Sequence, residues 1–331
     1  MKKFSTNICI ILYSNLKSFF KRLPLQQFIS KLTNHTSIIS IADIKELTKH
    51  RLSISVVFSS VAGYFLGILD INDFSWLTFL KLIIGGYCMV GASNVFNQVI
   101  EKDLDVLMDR TKNRPLPTGK INERLALIFG FLLTMMGLVL LYNINPKTAM
   151  FGAISIFMYT SLYTPLKTIT PLAVFVGAFP GAIPFMLGWV AATGHFGIEA
   201  GTLFIIQFFW QFPHFWAIGW FLEDDYNKAG FKMLPTGKAD NKTALQIILY
   251  TIWLILASLL PAFFPLLGIG GRLFLSPVSA GLILFIGLYL LFYAVKLYQT
   301  KTKTMARKLM LVSVIYITLL QLIYIADKFL R

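Results

Sequence analysis

The sequence predicts an all-α integral membrane protein of about nine transmembrane helices, and three observations carry that expectation. Hydrophobic residues make up 56% of the 331 and charged residues only 14%, with a mean hydropathy of +0.69. Nine apolar runs come near the roughly 20 residues that a bilayer crossing needs. The lysines and arginines fall unevenly about those runs: with the N-terminus on the inner side, 25 of the 30 lie there. Only Lys81, Lys147, Arg272, Lys328 and Arg331 remain on the other side. This positive-inside asymmetry supports an odd number of spans. The net charge of +15 is therefore mostly topology, and no nucleic-acid partner is expected.

Residues 1–46 read as a basic, partly amphipathic segment ahead of a transmembrane domain at 47–331, and the first 42 contain no acid. A transit peptide would be rich in arginine and serine, whereas this stretch is mainly lysine, which suits a segment lying on the membrane surface. The run 9–13 is too short for a secretory signal core. Cys9 lies in this segment and Cys88 in the second span, so neither a disulfide framework nor a thiolate metal site is expected.

The spans are expected at 52–69, 76–98, 122–142, 148–164, 172–192, 201–222, 243–263, 275–296 and 306–326. Short outer links at 70–74, 143–147 and 193–200 pair the first six. The inner connections at 102–121 and 223–242 are longer, and each begins with acidic residues. Each also holds the same turn signal, Leu116-Pro117-Thr118-Gly119-Lys120 in one and Leu234-Pro235-Thr236-Gly237-Lys238 in the other, four spans apart. Duplication of a four-helix unit would produce that spacing, as would chance recurrence of a Pro-Gly turn. In the fifth span, Gly177-Ala178-Phe179-Pro180-Gly181-Ala182-Ile183-Pro184 fits either close packing with a kink or a bent helix that makes room for a large ligand.

Seven of the fifteen carboxylates fall in the two inner clusters: Glu101, Asp103, Asp105 and Asp109, then Glu223, Asp224 and Asp225. Positions 97, 101, 105 and 109 are four apart, so on an α-helix each turns about 40° from the last. Asn97, Glu101 and Asp105 thus line one face, Asp103 points elsewhere, and Asp109 lies at the drifting edge. Arg110, Lys112 and Arg114 follow at once. Any one such acid is by default a solvated loop residue. Several hard oxygen donors on one face beside three cations suit a Mg²⁺-bound phosphate or diphosphate, which points to a membrane enzyme for a phosphorylated lipid.

The second cluster draws meaning from Trp210-Gln211-Phe212-Pro213-His214-Phe215-Trp216 before it. His214 lies within the sixth span, where an ionisable side chain is costly. It is either hydrogen-bonded to a neighbouring helix or functional. On an unbroken helix His214 and Asp225 share a face about 16 Å apart, one at the mouth of a cavity and one inside it.

The run from Asn97 to Asp105, with Met108-Asp109-Arg110-Thr111-Lys112-Asn113-Arg114-Pro115-Leu116-Pro117, resembles the first acidic motif of the UbiA-type intramembrane prenyltransferase superfamily. Leu47-Thr48-Lys49 with Arg51, Tyr163-Thr164-Pro165-Leu166-Lys167, and the fifth-span motif with Gly188-Trp189 agree with it. Trp210 through Phe215, and on to Asp224-Asp225-Tyr226, is similar to the haem-directed branch; the likeness covers about residues 45–327. The chain departs from the family pattern at His50, Thr168, Ala173 and Phe185, of which Ala173, standing for an asparagine, is expected to weaken a polar contact to substrate.

The resemblance implies a UbiA-type fold of nine helices around a central cavity, and transfer of the farnesyl group of farnesyl diphosphate to a vinyl group of haem b. Water is added, and haem O and diphosphate are released. It implies catalytic roles for Asn97, Glu101, Asp105, His214 and Asp225, with Mg²⁺ on Asn97, Glu101, Asp105, Asp224 and Asp225. Substrate contacts fall to Lys102, Arg110, Arg114, Lys167, Trp210, Gln211 and Phe215, with Phe212 and Trp216 among the aromatics that shield a cation or stack on the porphyrin. Haem b is then a substrate rather than a cofactor, and His214 could bind its iron, contact a propionate or move a proton. Membrane lipid, and contact with haem A synthase or oxidase assembly proteins, are implied partners. The expected site is a bacterial inner membrane with the N-terminus and acidic motifs inside, rather than the mitochondrial inner membrane.

Three other classes fit these residues less well. A prenyltransferase for an aromatic quinone precursor should carry an acid near the place of His214. A secondary transporter should carry its acids near the midplane, not at the inner edge. A non-catalytic haem-assembly protein needs no first acidic cluster.

Overall fold

A computed structural model describes residues 39–269 and 271–331, and the basic segment lies outside them up to position 38. All regular structure in the described residues is helical. Helix α1 (Ile41–Leu47) leads into α2 (His50–Gly67), and a short 3-10 turn precedes α3 (Trp76–Ile100) and the brief α4 (Lys102–Asp105). Then come α5 (Glu123–Tyr142), α6 (Pro146–Leu166), α7 (Ala173–Thr193), α8 (Ile198–Phe221) and the short α9 (Glu223–Lys228). The chain closes with α10 (Asn241–Phe263), α11 (Pro277–Thr300) and α12 (Lys303–Leu330).

Among the described helices seven are long and apolar enough to cross a membrane: α3, α5, α6, α7, α10, α11 and α12. The chain is an integral membrane protein. Helices α2 and α8, 18 and 24 residues long, stand where the other two spans are expected. Their apolar character is diluted by Ser53, Ser59 and Ser60 in α2 and by Gln207, Gln211 and His214 in α8. Five of these six side chains are buried, so the two helices fall short because they carry polar groups inward.

Helix starts follow local chemistry. Helices α3, α5, α6, α10, α11 and α12 each begin on Ser75, Asn122, Asn145, Asp240, Ser276 or Thr302, whose side-chain oxygen accepts a first-turn N–H. Proline fills the first turn of α6 and α11, where no intrahelical donor is needed.

Helix α7 is the centre of the packing. Of its apolar stretch 72% is buried in the protein, against 28% for α5, α6 and α11. It lies against α2 on one side and α8 on the other. The α2–α7 crossing depends on glycine: a Cβ on Gly63 would fall 1.9 Å from the Phe185 carbonyl oxygen, and one on Gly188 would fall 1.8 Å from that of Ser60. The small residues of 177–184 serve different neighbours. Gly177 admits the Tyr163 ring and Gly181 admits the Gln211 amide, where a Cβ would come within 2.5 Å and 2.7 Å.

Three helices share a polar junction. Gln321 of α12 donates to Ser59 Oγ of α2 at 2.9 Å and to Gln207 Oε1 of α8 at 3.3 Å. Nearby in sequence, Lys328 donates to the carbonyls of Phe65, Leu66 and Ile68, which closes the C-terminal end of α2 with a cation. Lys328→Met is expected to cost about 1.5–3 kcal/mol, the range for hydrogen bonds from a charged donor. A fall in the thermal midpoint in detergent reads it out, and an unchanged midpoint would remove the cap from the account.

Candidate active site

Helix α3 stops at Ile100, and Glu101 adopts a non-helical conformation (φ −93, ψ 6) before α4. The stripe survives the break because Glu101 N–H still donates to Asn97 O at 2.9 Å, and Asp105 N–H to Glu101 O at 2.7 Å. Asn97, Glu101 and Asp105 are 1%, 4% and 0% exposed, so all three point into the protein. Asp109, at the drifting edge, lies in the open and pairs with Lys112 and Lys228.

Each of these buried side chains meets a cation or a polar partner from another element. Lys49 Nζ donates to Asn97 Oδ1 at 2.9 Å, while Asn97 Nδ2 donates to Thr164 Oγ1 at 3.2 Å. Lys167 Nζ donates to Glu101 Oε1 at 2.8 Å, and Arg114 Nη1 to Asp105 Oδ2 at 2.7 Å. Asp105 Oδ1 is buried with no hydrogen-bond partner. Two lysines, an arginine and two carboxylates thus converge where α2 begins and where α3 and α6 end.

Local structure explains how these cations arrive. Lys49 occupies the left-handed region (φ 46, ψ 54), unusual for a residue with a side chain. Its turn is held by Gln98 Nε2 donating to Leu47 O at 2.7 Å and Asn94 Nδ2 donating to Thr48 O at 3.3 Å. His50 bonds Tyr87 OH through Nδ1 at 2.9 Å. A π-helical turn at Met158–Tyr163, within the last part of α6, presents Tyr163, whose ring centroid is 4.5 Å from Lys167 Nζ. Lost hydration, with Arg114 and Lys167 near, pushes the Lys49 amine down to about 7. Burial would also lower Lys167, but the Glu101 carboxylate outweighs it and holds that amine above the usual lysine range.

The two inner loops are clasped together. The Asp225 carboxylate accepts the backbone N–H of Asp109 at 3.0 Å and of Arg110 at 3.3 Å, and Lys228 reaches it at 3.4 Å. Burial would raise this carboxyl, yet these donors hold it below the usual aspartate range. The repeated turns also match: Gly119 and Gly237 both take positive φ (74 and 80), and each donates its N–H to the leucine three residues back, at 3.0 and 2.9 Å.

The structure sets several of the expected positions apart. Among the described residues no three His, Cys, Asp or Glu side chains form a ready metal cage. Glu101, Asp105, Asp224 and Asp225 are therefore not gathered around one point. The Asp224 side chain is 77% exposed and pairs with Lys303 at the start of α12. Lys102 faces Glu123 of α5 at 3.9 Å, because one residue past Glu101 it points off the buried face. Arg110 is exposed. Helix α8 breaks at Leu222 (φ −100, ψ 13), so His214 and Asp225 do not share one continuous helix face.

The aromatic wall divides in two. Phe212 and Trp216 are buried against Tyr250 of α10, with ring centroids at 4.3 and 5.0 Å. Trp210 and His214 turn toward α12, and Phe215 meets His214 edge-on at 5.4 Å. Side chains four apart stack along one helix face and those two apart do not, which is the physical reason. Gln211 is buried beside Gly181. Ala173 is fully buried at the start of α7, so packing stands where the missing asparagine would have offered a polar group.

The residues suit a metal-bound diphosphate. Asn97, Glu101 and Asp105 supply hard oxygens, Asp105 Oδ1 is an unshared buried lone-pair site, and Lys49, Arg114 and Lys167 add charge beside them. Lys49 and Thr164 were not among the sequence-derived site residues. The signal for Lys49 was its position just before the first span, with Leu47-Thr48 ahead of it.

Comparison with known proteins bears on both fold and chemistry. The UbiA prenyltransferase family matches residues 56–320. The protoheme IX farnesyltransferase of Flavobacterium johnsoniae is 68% identical over 299 residues, covering 90% of this chain and 98% of the relative. That of Cytophaga hutchinsonii is 42% identical over 285 residues, covering 86% and 96%. Among solved structures, a digeranylgeranylglyceryl phosphate synthase superposes with a TM-score of 0.70 at 20% identity, over 88% of this chain and 99% of that one. A UbiA homologue from Archaeoglobus fulgidus, bound to GPP and Mg²⁺, superposes with a TM-score of 0.62 at 15% identity, over 86% and 99%. The two structures share the fold.

Proposed function

This chain belongs to the UbiA prenyltransferase family, and from that membership we propose that it transfers the farnesyl group of farnesyl diphosphate to a vinyl group of haem b. Water adds in the same sequence, and the products are haem O and diphosphate. The observation that carries the acceptor is the 68% identity to a protoheme IX farnesyltransferase across 90% of the chain. The reactive domain is 47–331, and the basic side with the acidic loops faces the bacterial cytoplasm.

Asn97, Glu101 and Asp105 would hold Mg²⁺, which when bound neutralises charge on the leaving diphosphate. Lys49, Arg114 and Lys167 take the diphosphate oxygens, exchanging their present partners for phosphate. This fixes the allylic carbon relative to the acceptor and stabilises the charge that develops as the carbon–oxygen bond breaks. The terminal vinyl carbon of haem b then forms the new carbon–carbon bond. The cation left on the adjacent carbon takes up water and loses a proton. Burial of Asn97, Glu101 and Asp105 keeps bulk water from the first cation.

Purified protein incubated with haem b, farnesyl diphosphate and Mg²⁺ is expected to give a haem heavier by one farnesyl group and one water. EDTA should abolish the gain and added Mg²⁺ restore it, read by mass spectrometry. No mass gain on haem, with prenylation of an aromatic quinone precursor instead, would move the acceptor assignment.

A further inference from the structure

We infer that Ser313 of α12 holds His214 in the tautomer protonated at Nδ1, so that Nε2 presents its lone pair to the iron of the porphyrin substrate. This deepens the haem-prenylating reading and rests on it. Ser313 Oγ lies 2.6 Å from the carbonyl oxygen of Met310. Two oxygens that close repel unless a proton lies between them, and a serine hydroxyl has only one proton to give. That proton is committed to Met310. At 2.8 Å from His214 Nδ1, Ser313 Oγ can then act only as acceptor, and Nδ1 must be the donor.

The rest of the ring's surroundings fix its orientation. The Trp210 indole N–H donates to Ser313 O at 2.7 Å, and its ring lies over His214 with centroids 4.5 Å apart and planes 18° from parallel. Phe215 closes one edge. Ser313 is 0% exposed, so water does not compete for its hydroxyl, whereas His214 is partly exposed. An imidazole oriented by an acceptor at Nδ1, with a free lone pair at Nε2, is the arrangement of a histidine metal ligand. A haem propionate would need an N–H at Nε2, which this tautomer does not offer. The geometry therefore separates iron binding from propionate anchoring.

The test uses the purified full chain as wild type, His214→Ala, Ser313→Ala and Ser313→Thr, each titrated with haem b. The axial ligand is read from the Soret band and, in the ferrous state, the iron–histidine stretch, with haem O formation followed by mass in the same preparations. The wild type should show the iron–histidine band. His214→Ala should lose it and regain a histidine-like spectrum with free imidazole. Ser313→Ala should bind haem on the order of 10- to 100-fold more weakly, as for other residues that orient a metal-bound histidine, and shift the band. Ser313→Thr, which keeps the hydroxyl, should resemble wild type. An unchanged band in His214→Ala, or unchanged band and affinity in Ser313→Ala, overturns the inference. If wild type still makes haem O in that case, the inference falls alone. A wild type that neither binds haem b nor makes haem O overturns the functional reading and the inference together.

Discussion

Asp105→Asn is expected to reduce farnesyl transfer by about 10²- to 10³-fold, the scale seen when one group stabilising transition-state charge is removed. The substitution keeps the shape of a side chain that is 0% exposed and removes only its charge. That charge is what Arg114 answers at 2.7 Å, and the second oxygen is the unshared one proposed for the metal. Neutralising it leaves the Arg114 guanidinium, 13% exposed, without its carboxylate. Breaking a buried pair from one side costs about 3–5 kcal/mol, so the variant should also melt earlier. The double variant with Arg114→Gln separates the two effects. Stability should recover in it and turnover should not. Rates by mass spectrometry, beside thermal unfolding in detergent, decide the matter, and single-variant turnover within a few-fold of wild type would remove Asp105 from the chemistry.

Gly188→Ala should have the largest effect on folding. The added methyl would sit 1.8 Å from Ser60 O and 2.5 Å from Tyr64 N, both backbone atoms of α2 that cannot rotate aside. Ordinary overpacking costs about 1–3 kcal/mol, and a clash with backbone belongs at or beyond the upper end. The helices must part along α7, the most buried of the seven candidate spans. Little monodisperse protein should survive size-exclusion chromatography. By contrast Gly201→Ala, with nothing within 4 Å of the new methyl, should behave as wild type. Equal recovery of the two would show that the crossing is not fixed by Gly188.

The sequence made the helical membrane architecture legible because apolar runs and charge asymmetry are physical requirements of a bilayer. It did not show that the serines of α2 and the glutamines of α8 turn inward, since burial depends on which neighbours each helix face meets. The stripe of Asn97, Glu101 and Asp105 was legible because spacing by four survives one distorted residue. Lys49 was not, because its arrival depends on a left-handed turn held by Asn94 and Gln98 across 46 and 51 positions of chain. The separate fates of Asp224 and Asp225 were equally invisible. Adjacent acids look alike in sequence, and only the fold sets one against Lys303 and the other against two peptide groups.

The clasp between the inner loops makes unequal demands on its two sides. Asp225 contributes a side chain, whereas positions 109 and 110 contribute peptide N–H groups that every residue except proline possesses. Random mutagenesis should therefore find 109 and 110 permissive for this contact, with proline the substitution that fails, while 225 accepts only residues that can still offer an oxygen. A coupling carried in this way leaves little trace of paired substitution between the loops, since one partner can drift without obliging the other to follow.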